Sequence, residues 1–413
     1  MDVPNMSKKG WADIVTGKKT CPLNFFAAKI LMGRLLASVH DNPTPSNINA
    51  CIDQIHNLYA KNIGSPSVQE DLQEIFCGGA MRQDLVSIAE ATKLIDAGNI
   101  LILAGDETAL RKLSKGKWIG GTIPYFICRG DGGQVSREKV FVTDISTVVQ
   151  GVEIVQHDAD SLARVYSEGP ENGFSFVIIP ALSKAHLAFA LNAPSYKDFG
   201  VRPLIGWISG VHLDDLGKDT PKVFNGLTGA AIEEGALVLQ ASVLEGKTAE
   251  VGIINIFEQG DGDILTFSSD GFSTKDVLVN GERKNFAAYI LKNKLDTKLP
   301  LVADYYGALV NISFQGIDEA EGEVKFYAPV FKGIRYKHAK PVADYGIAFQ
   351  SRLESQSHLT EENIVFSCNC ILNYLYSELE GKATSPFVGP ITFGEIAYQL
   401  LNQTLVFLEV HDV

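Results

Sequence analysis

Residues 363–409 read NIVFSCNCILNYLYSELEGKATSPFVGPITFGEIAYQLLNQTLVFLE, and the alternation of apolar runs with Gly/Pro breaks decides the fold class. Residues 364–366 have the pattern of a short buried strand, and 371–379 carry apolar side chains at helical spacing. Ser385-Pro386 and Gly389-Pro390 then interrupt the chain. Residues 393–401 return to helical spacing. Thr392 and Glu395 stand three apart at the start of that segment, the pattern of a capping box, in which two orphan N–H groups are satisfied by side chains. Residues 405–410 read as a closing strand.

Working outward, the same texture fills the chain from residue 100 onward. Strand-like runs occur at 100–103, 125–128, 140–142, 152–155, 174–179, 203–208, 236–243, 251–257, 264–267, 277–279, 308–314, 324–327 and 345–349, with a helix at 284–292. Gly260-Asp261-Gly262 between two such runs is a hairpin signal. Many connections are too short for parallel crossovers, so the spacing predicts an α/β protein with mixed, partly antiparallel sheets and flanking helices. The first ninety residues instead show helical patterns at 23–39, 46–59, 68–76 and 85–97. A chain of 413 residues exceeds one ordinary core. The reading is therefore a helical N-terminal extension, 1–90, followed by α/β parts at 91–245 and 246–413.

Thirty-six basic and forty-nine acidic side chains give a net charge of −13, which opposes binding to a polyanion, so nucleic acid is not an expected partner. Six cysteines, at 21, 51, 77, 128, 368 and 370, are too sparse for a disulfide scaffold and favour a reducing compartment. The N-terminus lacks a signal-peptide core and no run reaches the roughly 18 apolar residues of a spanning helix. A cytoplasmic location without a transmembrane segment is expected.

Several residues are candidates for chemistry. In Gly116-Lys117-Trp118-Ile119-Gly120-Gly121-Thr122, adjacent glycines let backbone approach a ligand, and their N–H groups with the Thr122 hydroxyl suit a carboxylate or other anion. The alternative is a tight loop packed by Trp118. Glu395, or the N-terminus of the helix starting at Gly394, suits an amino or carboxylate group. His212 with Asp214 and Asp215, after the turn containing Gly206 and Ser209, is the best polar cluster. Cys368 and Cys370 lack a second pair at zinc-site spacing. A cysteine nucleophile, Cys368 or Cys128 with His212 as base, defines a rival hydrolase or transferase reading.

The order of these motifs resembles the FIST (F-box and intracellular signal transduction) family: the glycine-threonine segment, the turn at 202–210, Val279-Asn280-Gly281-Glu282-Arg283, Leu299-Pro300-Leu301, and Phe366-Ser367-Cys368 followed by Gly-x-x-Thr-x-Gly-Glu. The resemblance implies a non-enzymatic sensory protein in which two FIST-like parts enclose a small-ligand cleft. Its ligand would be an amino acid or similar metabolite, with no cofactor required. Some relatives bind haem, which stands as a further alternative. The implied ligand contacts are Trp118, Gly120, Gly121, Thr122, Gly206, Ser209, His212, Cys368, Thr392, Gly394 and Glu395. The N-terminal helices would mediate self-association or contact a signalling partner.

Overall fold

The computed structural model describes residues 83–413 apart from 306–307, 357–358 and 361–362. The helices expected at 23–39, 46–59 and 68–76 lie outside the described residues. The 85–97 segment divides: Gln83–Val86 is a strand, and Ile88–Asp96 is a helix capped by Ser87. The Ser87 side chain accepts from the Glu90 amide while the Glu90 carboxylate accepts from the Ser87 amide, so a capping box supplies the start signal.

The protein is a mixed α/β structure, with four six-stranded sheets and one three-stranded sheet among the described residues. In the first, Gln83–Val86, Val140–Asp144, Leu101–Gly105, Trp118–Thr122, Val223–Asn225 and Ala230–Ile232 lie side by side. Here Leu101–Gly105 and Trp118–Thr122 run parallel, with Gly105 opposite Thr122. The second sheet is ordered Gln399–Leu401, Glu395–Ala397, Leu204–Ser209, Gly173–Pro180, Ala236–Val243 and Val149–His157. Its parallel pair is Gly173–Pro180 with Leu204–Ser209. The third contains Lys247–Ile254, Leu405–Asp412, Ile364–Cys370, Gly389–Thr392, Tyr125–Cys128 and Gly132–Val135. Strands from either side of residue 245 thus share the second and third sheets.

The first three sheets pack around one core in which Phe176, Trp207 and Phe366 meet. The Phe176 ring stands edge-on to both others, and Trp207 stacks on Phe366 at 5.6 Å between centroids. Two glycines permit close approaches here, Gly206 between neighbouring strands of one sheet and Gly121 between two sheets. A methyl group on Gly206 would lie 1.7 Å from the Val177 carbonyl oxygen, and one on Gly121 would lie 2.7 Å from Ile178 Cγ2 and 2.9 Å from Trp207 Nε1.

Three local expectations are corrected. Residues 393–401 are not a helix but a tight hairpin, Glu395–Ala397 with Gln399–Leu401, turning at Tyr398 with φ of 62°. Pairing of Glu395–Ala397 with the edge of Leu204–Ser209 overrides the local helical preference of Glu, Ala and Leu. The run at 345–349 opens a helix, Tyr345–Glu354, with Asp344 as its cap. Gly260-Asp261-Gly262 is not a hairpin turn: Lys247–Ile254 pairs with Leu405–Asp412, whereas Leu265–Thr266 pairs with Asp276–Val279 in another sheet.

Candidate functional site

A cavity of about 100 Å³ opens where the carboxyl ends of three strands come together. Leu101–Gly105 delivers Asp106 and Glu107, Trp118–Thr122 delivers Thr122, and Leu204–Ser209 delivers Gly210 and His212. The Gly210 amide donates to the Thr122 carbonyl at 2.7 Å, tying the first sheet to the second at the cavity floor. A crevice outside the carboxyl ends of parallel strands is where open α/β sheets bind ligands, because the chain there leaves the ladder and its side chains are free to converge.

The side chains around the cavity are held by local bonds. Asp106 caps the short helix Glu107–Leu110, its Oδ1 accepting from the Thr108 amide and hydroxyl. The Thr122 hydroxyl accepts from the Lys222 amide at 2.9 Å. His212 stacks on Tyr125 at 5.3 Å and 23°, and its Nδ1 accepts from the Asp214 amide. The Tyr125 hydroxyl accepts from the Leu213 amide, and burial raises its pKa above the phenol range. On the far wall Arg137 pairs with Asp215 at 2.7 Å.

Lys222 joins Glu107 at 2.8 Å and Glu233 at 3.3 Å. Burial pushes the Glu107 carboxyl up, but the hydrogen bonds from Lys222 and Arg111 outweigh it and hold the group below its usual value. The same pairings outweigh the effect of burial on Lys222 and raise its ammonium pKa. Lys222→Met is expected to cost roughly 1–2 kcal/mol at neutral pH, read as a lowered urea midpoint, because Glu107 loses its ammonium partner. The Glu107 share of that loss shrinks as pH falls through the depressed carboxyl pKa, where wild type also gives up the pair.

Of the residues expected to bind a ligand, Thr122 and His212 line this cavity. Trp118 does not: its indole donates to the Ser114 carbonyl and its ring packs against Gly226 in a separate small core. Gly120 and Gly121 are strand residues, in register with Leu103 and Ala104 on one side and Phe224 and Val223 on the other, rather than a loop presenting free amides. Gly206 lies within the buried strand Leu204–Ser209, and Ser209 is its last residue. Gly394 lies at the hairpin, its carbonyl accepting from the Ile208 amide, so no helix N-terminus exists there. Arg137, Asp219 and Thr220 line the cavity without having been singled out in the sequence, where no local pattern marks them.

Cys368, Thr392 and Glu395 belong to a second, enclosed polar centre. Glu395 is 0% exposed; its Oε2 accepts from the Thr404 hydroxyl at 2.8 Å and amide at 3.3 Å, and its Oε1 lies 3.4 Å from the Thr392 hydroxyl. Burial outweighs these bonds and raises its pKa to about 8, so the side chain is a neutral acid at neutral pH. Next to it Asn373 Nδ2 bridges Asn369 Oδ1 and the Thr404 carbonyl. The Cys368 thiol is directed at the Gly206 carbonyl, 3.7 Å away. Burial pushes the Cys368 and Cys370 thiols well up and that of Cys128 to about 12, which opposes thiolate formation and disfavours the cysteine-nucleophile reading. Among the described residues no group of three or more His, Cys, Asp or Glu side chains is placed to hold a metal ion, and no helix is long and apolar enough to cross a membrane.

Fold and cavity together define a mixed α/β protein with a small polar cleft at the carboxyl ends of its parallel strands. The chain belongs to DUF6976, a family of unknown function, whose model matches residues 86–411. No curated protein matches it. The match to DUF6976 corrects the FIST resemblance, which found no support. The physical reason is visible in the motifs: the glycines at 120, 121 and 206 are strand residues rather than ligand turns, and the helix that the terminal motif was taken to start is a β-hairpin.

Proposed function

We propose that this protein binds a small polar metabolite of about amino-acid size in the cleft floored by Thr122 and Gly210. The observation that carries the reading is the meeting of three strand ends, from two sheets, around one cavity of about 100 Å³. Sites of this kind fix a ligand with a few convergent polar groups, and His212, Asp106, Asp219 and Arg137 supply both donors and acceptors. The cleft is built from residues between 106 and 220, not from two parts facing each other. A sensory role loses its support with the FIST resemblance.

Thermal-shift screening against amino acids and other small metabolites tests it. A ligand at a hundred times its dissociation constant is expected to stabilise the protein by about 2.7 kcal/mol. That gain should disappear in His212→Ala, because His212 lies in the cleft wall. Stabilisation that survives in His212→Ala would place the ligand elsewhere and remove the reading.

A further inference from the structure

We infer that the cleft selects a small protonated amine carrying a nearby oxygen, and rejects carboxylates and phosphates. This rests on the ligand-binding reading above and names the class of ligand.

The charge accounting around the cavity leads there. Asp106, Glu107, Asp215 and Asp219 line it against a single guanidinium, Arg137. Arg137 is committed to Asp215, and Lys222, beside the lining, is committed to Glu107 and Glu233. Arg111 also pairs with Glu107, at 2.6 Å. An incoming anion would have to draw Arg137 or Lys222 away from a carboxylate and leave that carboxylate unpaired. An ammonium group displaces nothing. Asp106 has one oxygen engaged by Thr108 and its second oxygen remaining, and among the described residues the Asp219 carboxylate makes no ion pair. The field of a chain with net charge −13 further concentrates cations at its surface.

The imidazole supplies the second half of the recognition. Because Nδ1 of His212 accepts from the Asp214 amide at 3.2 Å, the neutral ring carries its proton on Nε2. Stacking on Tyr125 fixes the plane of that ring. Nε2–H is thus a donor on a residue that lines a cavity rich in carboxylates, matched by a hydroxyl or carbonyl oxygen close to the amine. A cavity of about 100 Å³ suits a molecule of about amino-acid size, which favours a short amino alcohol over a long polyamine.

The test uses the full chain with ethanolamine, 1,4-diaminobutane, glycine and acetate as probes, with sodium chloride at matched ionic strength as control. The readouts are the melting temperature and the His212 ring signals in NMR spectra, assigned with His212→Gln. Ethanolamine is expected to raise the melting temperature and shift the His212 signals, 1,4-diaminobutane to do so more weakly, and acetate to match the salt control. Asp219→Asn should weaken ethanolamine binding about tenfold without lowering the melting temperature of the free protein. If acetate or glycine moves the His212 signals while ethanolamine does not, the amine class is overturned and the cleft remains a binding site. If no probe moves His212, and ethanolamine raises the melting temperature equally in wild type and Asp219→Asn, the cleft reading falls with it.

Discussion

Glu395→Gln is expected to flatten the dependence of stability on pH between about 5 and 8 and to leave the variant more stable than wild type in mild alkali. The wild-type carboxyl has its pKa raised from an ordinary 4.5 to about 8 by enclosure in the interior. Below pH 4.5 the group is protonated in both folded and unfolded chains and contributes no slope. Above it the unfolded chain releases the proton and the folded chain does not, so stability falls by about 1.4 kcal/mol per pH unit. The loss levels off above pH 8, where the folded state ionises too, after a total on the order of 5 kcal/mol. Glutamine reproduces the neutral acid: its carbonyl accepts from the Thr404 amide and hydroxyl, and its amide donates to the Thr392 hydroxyl. Denaturant unfolding of both proteins at pH 5, 7 and 9 reads the effect. Parallel curves for wild type and variant would show that Glu395 is ionised in the folded protein and that its enclosure has been misjudged.

Gly206→Ala is expected to abolish folding or to remove roughly 3–5 kcal/mol of stability. The added carbon would stand 1.7 Å from the carbonyl oxygen of Val177, on the neighbouring parallel strand. That atom is backbone, so no rotamer change relieves the contact. Leu204–Ser209 would have to move away from Gly173–Pro180 and take with it Glu395–Ala397, paired on its other edge, and the cleft residues Gly210 and His212 that follow it. Gly262→Ala is the control, with nothing within 4 Å of the new carbon and an expected change within about 0.5 kcal/mol. Equal denaturation midpoints for the two variants would mean that the sheet yields at Gly206 more readily than its pairing implies.

The polar centre around Glu395 and the polar cleft are therefore different in kind, although both came forward as candidates from the same sort of local pattern. The cleft offers side chains to solvent at strand ends. The Glu395 centre has its bonds made within the protein, to Thr392 and Thr404, and its effect is on stability. They are close in the fold: the Phe393 ring packs against Gly210 at the cleft floor, two residues from Glu395.

Composition and apolar periodicity were by themselves enough for the fold class, for strands such as Tyr125–Cys128 and Ala236–Val243, and for the helix Phe286–Asn293, because burial and local spacing express themselves within a few residues. Local pattern also brought Thr122 and His212 forward, since polar residues that follow glycines are visible in one dimension. Which face each glycine would serve was not legible. Gly121 and Gly206 looked like ligand loops and are packing notches, Gly121 between two sheets and Gly206 between adjacent strands, a distinction set by Ile178, Trp207 and Val177, from elsewhere in the chain. Thr392 and Glu395 had the spacing of a helix cap, and only edge pairing with Leu204–Ser209 made them strand residues with a buried carboxyl. Arg137 and Asp219 entered the cleft wall through chain reversals that no local pattern records. Local sequence determined the elements because their signals are short-range; the tertiary structure alone decided the site, because convergence, desolvation and charge pairing depend on which distant residues become neighbours.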